Sequence, residues 1–320
     1  MKISDKILFQ LLVVSLSLLF LGCKPSKVTT VSKKEYPEKG YIIATYNVRY
    51  DNKTDNKNGR SWEERREHVL SIIRKYDFDI FGVQEPFENQ INDMVADLKA
   101  YQRFGVSDDA IPYSTSNHHH DIFYKTSKFN LEDHGRFWLS SGAPSSPPEN
   151  LMKAAWGGKA KVCTWGKFRD KHTNAIFYVF NAHFYYADET TRNNSAKLIL
   201  EKIKEIARKS PAIFMGDLNS NQYSIAYKTL NNSTLLNDSY SWAKSTFPLN
   251  EPTMHQTFNH WFLSPQQDAK LGHRIDYIFL TKHWKNKVKS STVIWDNYIK
   301  DGIYKMPSDH NAVMVESEGL

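Results

Sequence analysis

The chain has 320 residues, 40% of them apolar, and its 18 Phe, 17 Tyr and 8 Trp can fill a substantial globular core, which excludes a disordered or fibrous chain. The formal charge is +7, and setting aside residues 1–22, with two Lys and one Asp, leaves +6. Residues 24–39 hold five Lys against two Glu, so the remaining domain carries only +3, which argues against a protein that tracks along duplex DNA.

Lys2 and Lys6 precede an apolar run at 7–21, and Leu21-Gly22-Cys23 closes it. A charged start, a short apolar stretch and a small residue mark a secretory signal, too short for a comfortable membrane span. The closing tripeptide resembles a bacterial lipobox, with Phe20 where Leu is usual. The expectation is a signal peptide at 1–22, a lipid on Cys23, a tether at 23–39 near anionic lipid, and a place in the bacterial cell envelope, periplasmic or outer-membrane associated. An ordinary cleaved signal and a solvated linker are the alternatives. With Cys23 committed to lipid, Cys163 has no disulfide partner and reads as a buried thiol in an apolar strand.

Residues 41–48 read as a central strand ending at Asn47, followed by a polar loop at 51–59. Ser61 with Glu64 forms a capping box, and Trp62, Arg66, Val69, Ile73 and Tyr76 follow helical spacing. Residues 80–85 are a buried strand that ends on Glu85, is stopped by Pro86, and precedes a helix at 88–98. Short strands include 121–124 and 136–139. The run His118-His119-His120 lies just before the first of them. Adjacent side chains on an extended chain point oppositely, so the three cannot share one metal, and one of them near a substrate is the expectation.

Residues 162–168 and 175–183 read as a strand pair that puts Asn181 and His183 on one face. An amphipathic helix at 190–209 leads into Ala212-Ile213-Phe214-Met215-Gly216-Asp217-Leu218-Asn219. A variable segment at 221–267 precedes strands at 274–280, 288–294 and 312–315, with Ser308-Asp309-His310 before the last. No composition break divides residues 40–320, which form one domain.

The stretch at 212–219 carries the functional argument. It is an apolar strand that ends in a glycine, with Asp217 and Asn219 pointing the same way at its C-terminal end, where α/β proteins hold ligands. Such a D-x-N also serves turns. Yet Asn47, Glu85, Asn181 with His183, and Asp309 with His310 occupy comparable strand ends, and Asp276 lies inside a strand where an unpaired carboxylate would cost several kcal/mol, on the order of 5. One such residue is a capped turn; the set is a site able to hold a metal or a phosphate.

In this order, Tyr46-Asn47-Val48-Arg49, Gln84-Glu85, Asn181-Ala182-His183, Gly216-Asp217-Leu218-Asn219, Arg274-Ile275-Asp276-Tyr277 and Ser308-Asp309-His310 resemble the endonuclease/exonuclease/phosphatase superfamily, the deoxyribonuclease I-like fold. The resemblance implies a four-layered α/β sandwich, two mixed sheets face to face with helices outside. It also implies hydrolysis of phosphate esters with Mg²⁺ or Mn²⁺, most simply a phosphodiesterase or nuclease acting as a monomer. Glu85, Asn47 and Asp309 would hold the metal, Asp217 would orient or deprotonate the water, and Asn219, Asn181 and His183 would hold phosphate oxygens. His310 would bind the scissile phosphate, its tautomer set by Asp276. Trp156, Tyr185, Tyr186, Phe258 and Trp261 are candidates to stack on a base or sugar. A lipid or inositol phosphate hydrolase and a non-catalytic surface protein that binds phospho-ligands or glycans are the other readings.

Overall fold

The computed structural model describes residues 40–111, 117–247, 256–264 and 274–320. The expected signal peptide, Cys23 and the tether lie outside them. The first sheet opens with β1 (Gly40–Asn47), β2 (Ile80–Gln84), β3 (Tyr101–Phe104) and β4 (Ile122–Lys125). The second takes β5 (Phe129–Trp138), β6 (Val162–Asp170), β7 (Ile176–His183), β8 (Ala212–Asp217) and β9 (Leu236–Asp238). The chain then alternates between sheets through β10 (Ser245–Phe247), β11 (Asp276–Thr281) and β12 (Val288–Ile294). A separate hairpin, β13 (Tyr298–Lys300) with β14 (Ile303–Lys305), precedes β15 (Ala312–Glu318).

Strand order is β10-β12-β15-β1-β2-β4-β3 in one sheet and β5-β6-β7-β8-β11-β9 in the other. Both sheets are mixed: β1 runs parallel to β2 and β7 to β8, whereas β1 with β15 and β8 with β11 are antiparallel. The chain thus folds as the four-layered α/β sandwich that the motifs implied.

Period-two alternation assigns each strand's faces. Tyr41, Ile43, Ile80 and Ile122 of the first sheet meet Phe129, Phe177, Val179, Ile213, Met215, Ile278 and Leu280 of the second. The intervening residues Phe180, Phe214 and Phe279 face outward and pack against the second sheet's helical layer. That layer supplies Ala196, Ile199 and Ile203 of one helix and Leu230 of a shorter one. In chain order the helices are α1 (Lys53–Lys57), α2 (Trp62–Lys75), α3 (Glu88–Asp97), α4 (Glu189–Ile206), α5 (Ile225–Asn231) and α6 (Ser239–Trp242).

Ser61 caps α2 as expected, its Oγ accepting from Glu64 N at 3.3 Å. The buried face of α2 differs from expectation. Arg65 is fully buried and Arg66 lies outward against Asp93 and Asp97. Positions 62, 65, 69, 72 and 73 are helically spaced too, and only the packed partners decide between the two registers. Cys163 is a buried free thiol in β6, as read. Among the described residues no helix is long and apolar enough to cross a membrane.

Candidate active site

The site grows out of the inter-sheet core. Continue each inward face past the last apolar residue and it turns polar at one end of the sandwich. β1 goes from Ile43 to Thr45 and Asn47, β2 from Ile80 to Gln84, and β7 from Val179 to Asn181 and His183. β8 goes from Met215 to Asp217, and β11 begins inward at Asp276. Registers align them: His183 is level with Asp217 in the parallel pair, and Asp217 with Asp276 in the antiparallel pair. Asp309 and His310 arrive from the turn before β15, where Ser308 Oγ donates to Asn47 O at 2.7 Å.

Two glycines allow this convergence. At Gly216, φ is +144° and a Cβ would lie 1.8 Å from Ala182 O, so no other residue fits between β7 and β8. At Gly82 a Cβ would lie 2.5 Å from Asn181 Cγ. Asn181 uses that space to cross between the sheets. Its Nδ2 donates to Val83 O (2.9 Å) and Asp121 O (3.0 Å), and its Oδ1 accepts from Gln84 Nε2 (2.7 Å). Its amide is therefore engaged in tying the sheets. Glu85, Arg49 and Asn219 have φ of 75°, 57° and 46°, so three site residues sit at left-handed bends where a strand ends.

At the centre, Asp217 is buried. Its Oδ1 accepts from Asn219 N (2.7 Å), and its Oδ2 accepts from Asn47 Nδ2 (3.1 Å) and faces His183 Nε2 (3.4 Å) and His310 Nε2 (3.8 Å). Burial, and then the neighbouring charge of Asp276, push its pKa up to about 7. His310 Nδ1 lies 2.9 Å from Asp276 Oδ2. Burial opposes a charge on His310, but Asp276, Asp217 and Asp309 outweigh it and raise its pKa to about 10. An imidazolium held by one carboxylate thus points its Nε2–H toward a second carboxyl poised to accept a proton, the pairing expected of an acid/base centre.

Glu85 and Asp309 flank this pair. Asn47 Nδ2 donates to Glu85 Oε1 (3.1 Å), and Arg49 Nη1 reaches Asp309 Oδ2 (3.2 Å). Burial opposes the charge on Glu85, yet its pKa is lowered, because His118, His310 and Arg49 face it. Asp309 is raised, by burial first and, among its neighbours, by the charge of Glu85. Two buried carboxylates that repel are a fit for a hard cation. Asn47 Oδ1 accepts from Arg49 N (3.0 Å), and its nitrogen faces the carboxylates. Its amide would have to turn to offer oxygen.

The histidine run behaves as alternation requires, and brings two residues to the site where one was expected. His119 points away, between Glu88 (2.9 Å) and Asp121 (3.2 Å). His118 lies parallel to His183, with ring centroids 6.3 Å apart and 9° between the planes, and His120 meets His183 edge-on at 5.9 Å. Glu85, His118 and His183 offer possible ligand atoms within 4.8 Å of one another, as do Asp217, Asp276 and His310. In the first group, however, Asn219 Nδ2 donates to His183 Nε2 (2.7 Å) and to Phe184 O (2.9 Å). A metal-bound imidazole gives its other N–H to an acceptor, and His183 faces a donor there. Both donors of Asn219 are spent this way, so in this state it orients His183 and leaves no N–H free for a phosphate oxygen.

Of the aromatic candidates, Phe258 stands over His310 with centroids 4.8 Å apart. Trp261 is taken by Arg60 (4.9 Å) and Arg65 (5.5 Å), and Tyr185 packs over Gly158. Trp156 packs against the small core around Trp138, and Tyr186 is exposed. Sequence reasoning missed Arg65 and Asp108, left open which of His118, His119 and His120 faces the site, and gave Thr257 no role. Thr257 Oγ1 accepts from the backbone N–H groups of Ile275 (2.8 Å) and Asp276 (3.1 Å) and so sets where β11 begins.

The family model described as "Endonuclease/Exonuclease/phosphatase family" matches residues 44–310. The chain superposes on a mannosyl-6-phosphatase of Bacteroides thetaiotaomicron with a TM-score of 0.76 and 33% identity, covering 86% of this chain and 98% of that one. An endonuclease/exonuclease/phosphatase from Bacteroides vulgatus gives a TM-score of 0.74 and 31% identity over 88% and 99%. An RNA exonuclease of Saccharomyces cerevisiae is 22% identical over 56% of this chain. The chain spans 54% of that relative's length, and 26% of an uncharacterized Acanthamoeba polyphaga mimivirus protein that is 23% identical.

Proposed function

The chain belongs to the endonuclease/exonuclease/phosphatase family, and from that premise we propose a divalent-cation-dependent phosphoester hydrolase whose preferred substrates are sugar phosphate monoesters. The observation that carries the hydrolase reading is the buried Asp217–His310–Asp276 line beside Glu85 and Asp309. The sugar phosphate is supported by the 33% identity with the mannosyl-6-phosphatase over nearly all of that chain. The low charge of the domain agrees with a small substrate. A phosphodiester is the second reading, favoured by Phe258 over His310, a surface on which a base could stack.

Glu85 and Asp309, with Asn47 if its amide turns, would hold the cation, Mg²⁺ or Mn²⁺. When bound, such a cation polarises the phosphoryl group and neutralises charge on the leaving oxygen. Asp217, near its own pKa at neutral pH, takes the proton of the attacking water. His310, charged and oriented by Asp276, supplies the hydrogen bond and positive charge that the phosphoryl oxygens need as the transition state develops. Asn219 holds Asp217 through its backbone N–H and His183 through its side chain. The N-terminal pattern supports secretion and a lipid on Cys23, and thus an enzyme tethered in the cell envelope.

The test is phosphate release from mannose 6-phosphate and cleavage of bis-p-nitrophenyl phosphate, each with and without Mg²⁺. Silence toward both would remove the hydrolase reading, and faster diester cleavage would reverse the substrate order. EDTA should abolish turnover, Mg²⁺ or Mn²⁺ should restore it, and Glu85→Gln should lower kcat/KM by about 100-fold, the several kcal/mol expected of a bound cation. Turnover that survives chelation would eliminate the cation.

The acid side of the pH profile follows from the base. Asp217 accepts a proton only when ionised, so kcat/KM should fall as pH drops through about 7. A nearby cation favours the ionised form, so raising Mg²⁺ from limiting to saturating should move that limb to lower pH. A limb that moves the other way contradicts the assignment.

A further inference from the structure

We propose that the cavity between the start of α3 and the chain leaving β3 is a second binding site, for an uncharged sugar ring. None of its side chains belongs to the catalytic centre, so the inference stands apart from the hydrolase reading. The backbone puts it on the reverse of the histidine run. Ser107 pairs with His119 in an antiparallel bridge, and the alternation that turns His118 and His120 toward His183 turns His119 the other way. Beside His119, Glu88 and Asn92 stand one turn apart on α3 and share a face. The cavity they line measures about 360 Å³, and Arg103, Ala110 and Ile111 continue its wall. Small-molecule sites run from about 300 to 1,000 Å³, so this one suits a single ring.

The polar wall is held from behind. Asp121 is fully buried; its Oδ2 accepts from Arg103 Nη1 (2.7 Å), and its Oδ1 faces His119 Nδ1 (3.2 Å). Gly105 makes room for that carboxylate: its φ is +153°, and a Cβ there would collide with Asp121. The two groups that Asp121 fixes keep bonding capacity to spare. His119 is buried, and its Nε2 lies 2.9 Å from Glu88 Oε2 without making a hydrogen bond, so a polar atom of the wall is left unmatched. Among the described residues Arg103 gives only one N–H of its fork, to Asp121, and the exposed Asn92 side chain has no hydrogen-bond partner.

The chemistry of the wall selects the ligand class. Burial opposes a charge on His119, but Asp121 and Glu88 outweigh it and raise its pKa. In mildly acidic solution Arg103 and His119 are then balanced by Asp121 and Glu88, and neither a phosphate nor an ammonium meets an uncompensated opposite charge. What remains on offer is a set of planar groups that bond in pairs. The guanidinium fork and the amide nitrogen donate, and the carboxylate and the amide oxygen accept. Neighbouring hydroxyls of a sugar each donate and accept, which matches such a set. Ala110 and the exposed Ile111 supply an apolar surface for the C–H face of the ring.

The experiment is an NMR titration of the full chain at pH 6, labelled in histidine rings and isoleucine methyl groups. The probes are the methyl glycosides of glucose, galactose and mannose, with inorganic phosphate and methylammonium as charged controls. A glycoside is expected to move the His119 and Ile111 signals with a Kd on the order of 1 mM, the strength that about a dozen non-hydrogen atoms give at ordinary ligand efficiency. Asn92→Leu, on an exposed helix face, should weaken that binding about tenfold, and Arg103→Met should abolish it. If Arg103→Met unfolds, because Asp121 has lost a partner, the leucine variant decides. Asp217→Asn should leave the binding unchanged, since the catalytic pocket lies on the other side of the histidine run. Stationary His119 and Ile111 signals with every glycoside overturn the proposal, as does movement by phosphate or methylammonium at lower concentration than by any glycoside. Binding that Asp217→Asn removes and Asn92→Leu spares would place the sugar in the catalytic pocket and overturn it as well.

Discussion

Asp217→Asn is expected to lower kcat on a phosphate ester by about 10³-fold, within the range for loss of a general base, while the fold survives. Asn keeps the size of the side chain and can still accept from Asn219 N, so β8 and β11 keep their register. It cannot take a proton from water. The loss should appear in kcat more than in KM, because an interaction made as the water is deprotonated belongs to the transition state. Measured at saturating Mg²⁺, with thermal unfolding as a control, a variant within tenfold of the wild type would transfer the role of base to another group. His310→Gln should fall in the same range, since both act on one proton path.

The largest stability effect is expected at Arg65. This fully buried guanidinium donates to four backbone carbonyls, Arg60 (2.8 Å), Val48 (2.9 Å), Pro307 (2.8 Å) and Arg49 (3.0 Å). It ties the end of β1 to the turn that carries Asp309 and His310. Arg65→Met removes every donor and leaves buried oxygens unmatched, each worth about 1–3 kcal/mol, so a loss on the order of 5 kcal/mol follows. Arg65→Lys should recover only a fraction, because one ammonium cannot span the fork. Urea unfolding of the three proteins checks the order, and a methionine variant within about 1 kcal/mol of the wild type would show that water replaces the guanidinium.

What was legible in sequence divides along physical lines. Strand ends were readable because an apolar run that stops on Asn47, Glu85, His183 or Asp217 breaks a local pattern. That Asp276 needs a partner was legible because a carboxylate within an apolar strand is costly alone, whereas His310 as that partner was what the family resemblance implied. The inward face of α2 was not, since Arg65 and Arg66 both satisfy helical spacing, and only the carbonyls around position 65 choose between them. Nor were the separate duties of Asn181 and His183, two residues apart on one face. Gly82 opposite the first lets its amide cross to the other sheet, and Asp217 beside the second gives it a neighbour in the site.

The sequence by itself determined the layered α/β class, the strand ends that carry the polar residues, and the family to which their order belongs. The strand ends follow from periodicity and side-chain chemistry, which are local, and the layered class and the family from the resemblance of the ordered motifs. The tertiary structure decided which amide ties the sheets and which faces a carboxylate, and which two of three adjacent histidines turn inward. Each depends on a donor or acceptor supplied from another strand, and a single buried partner settles it, because a polar group inside the protein has nothing else to bond to.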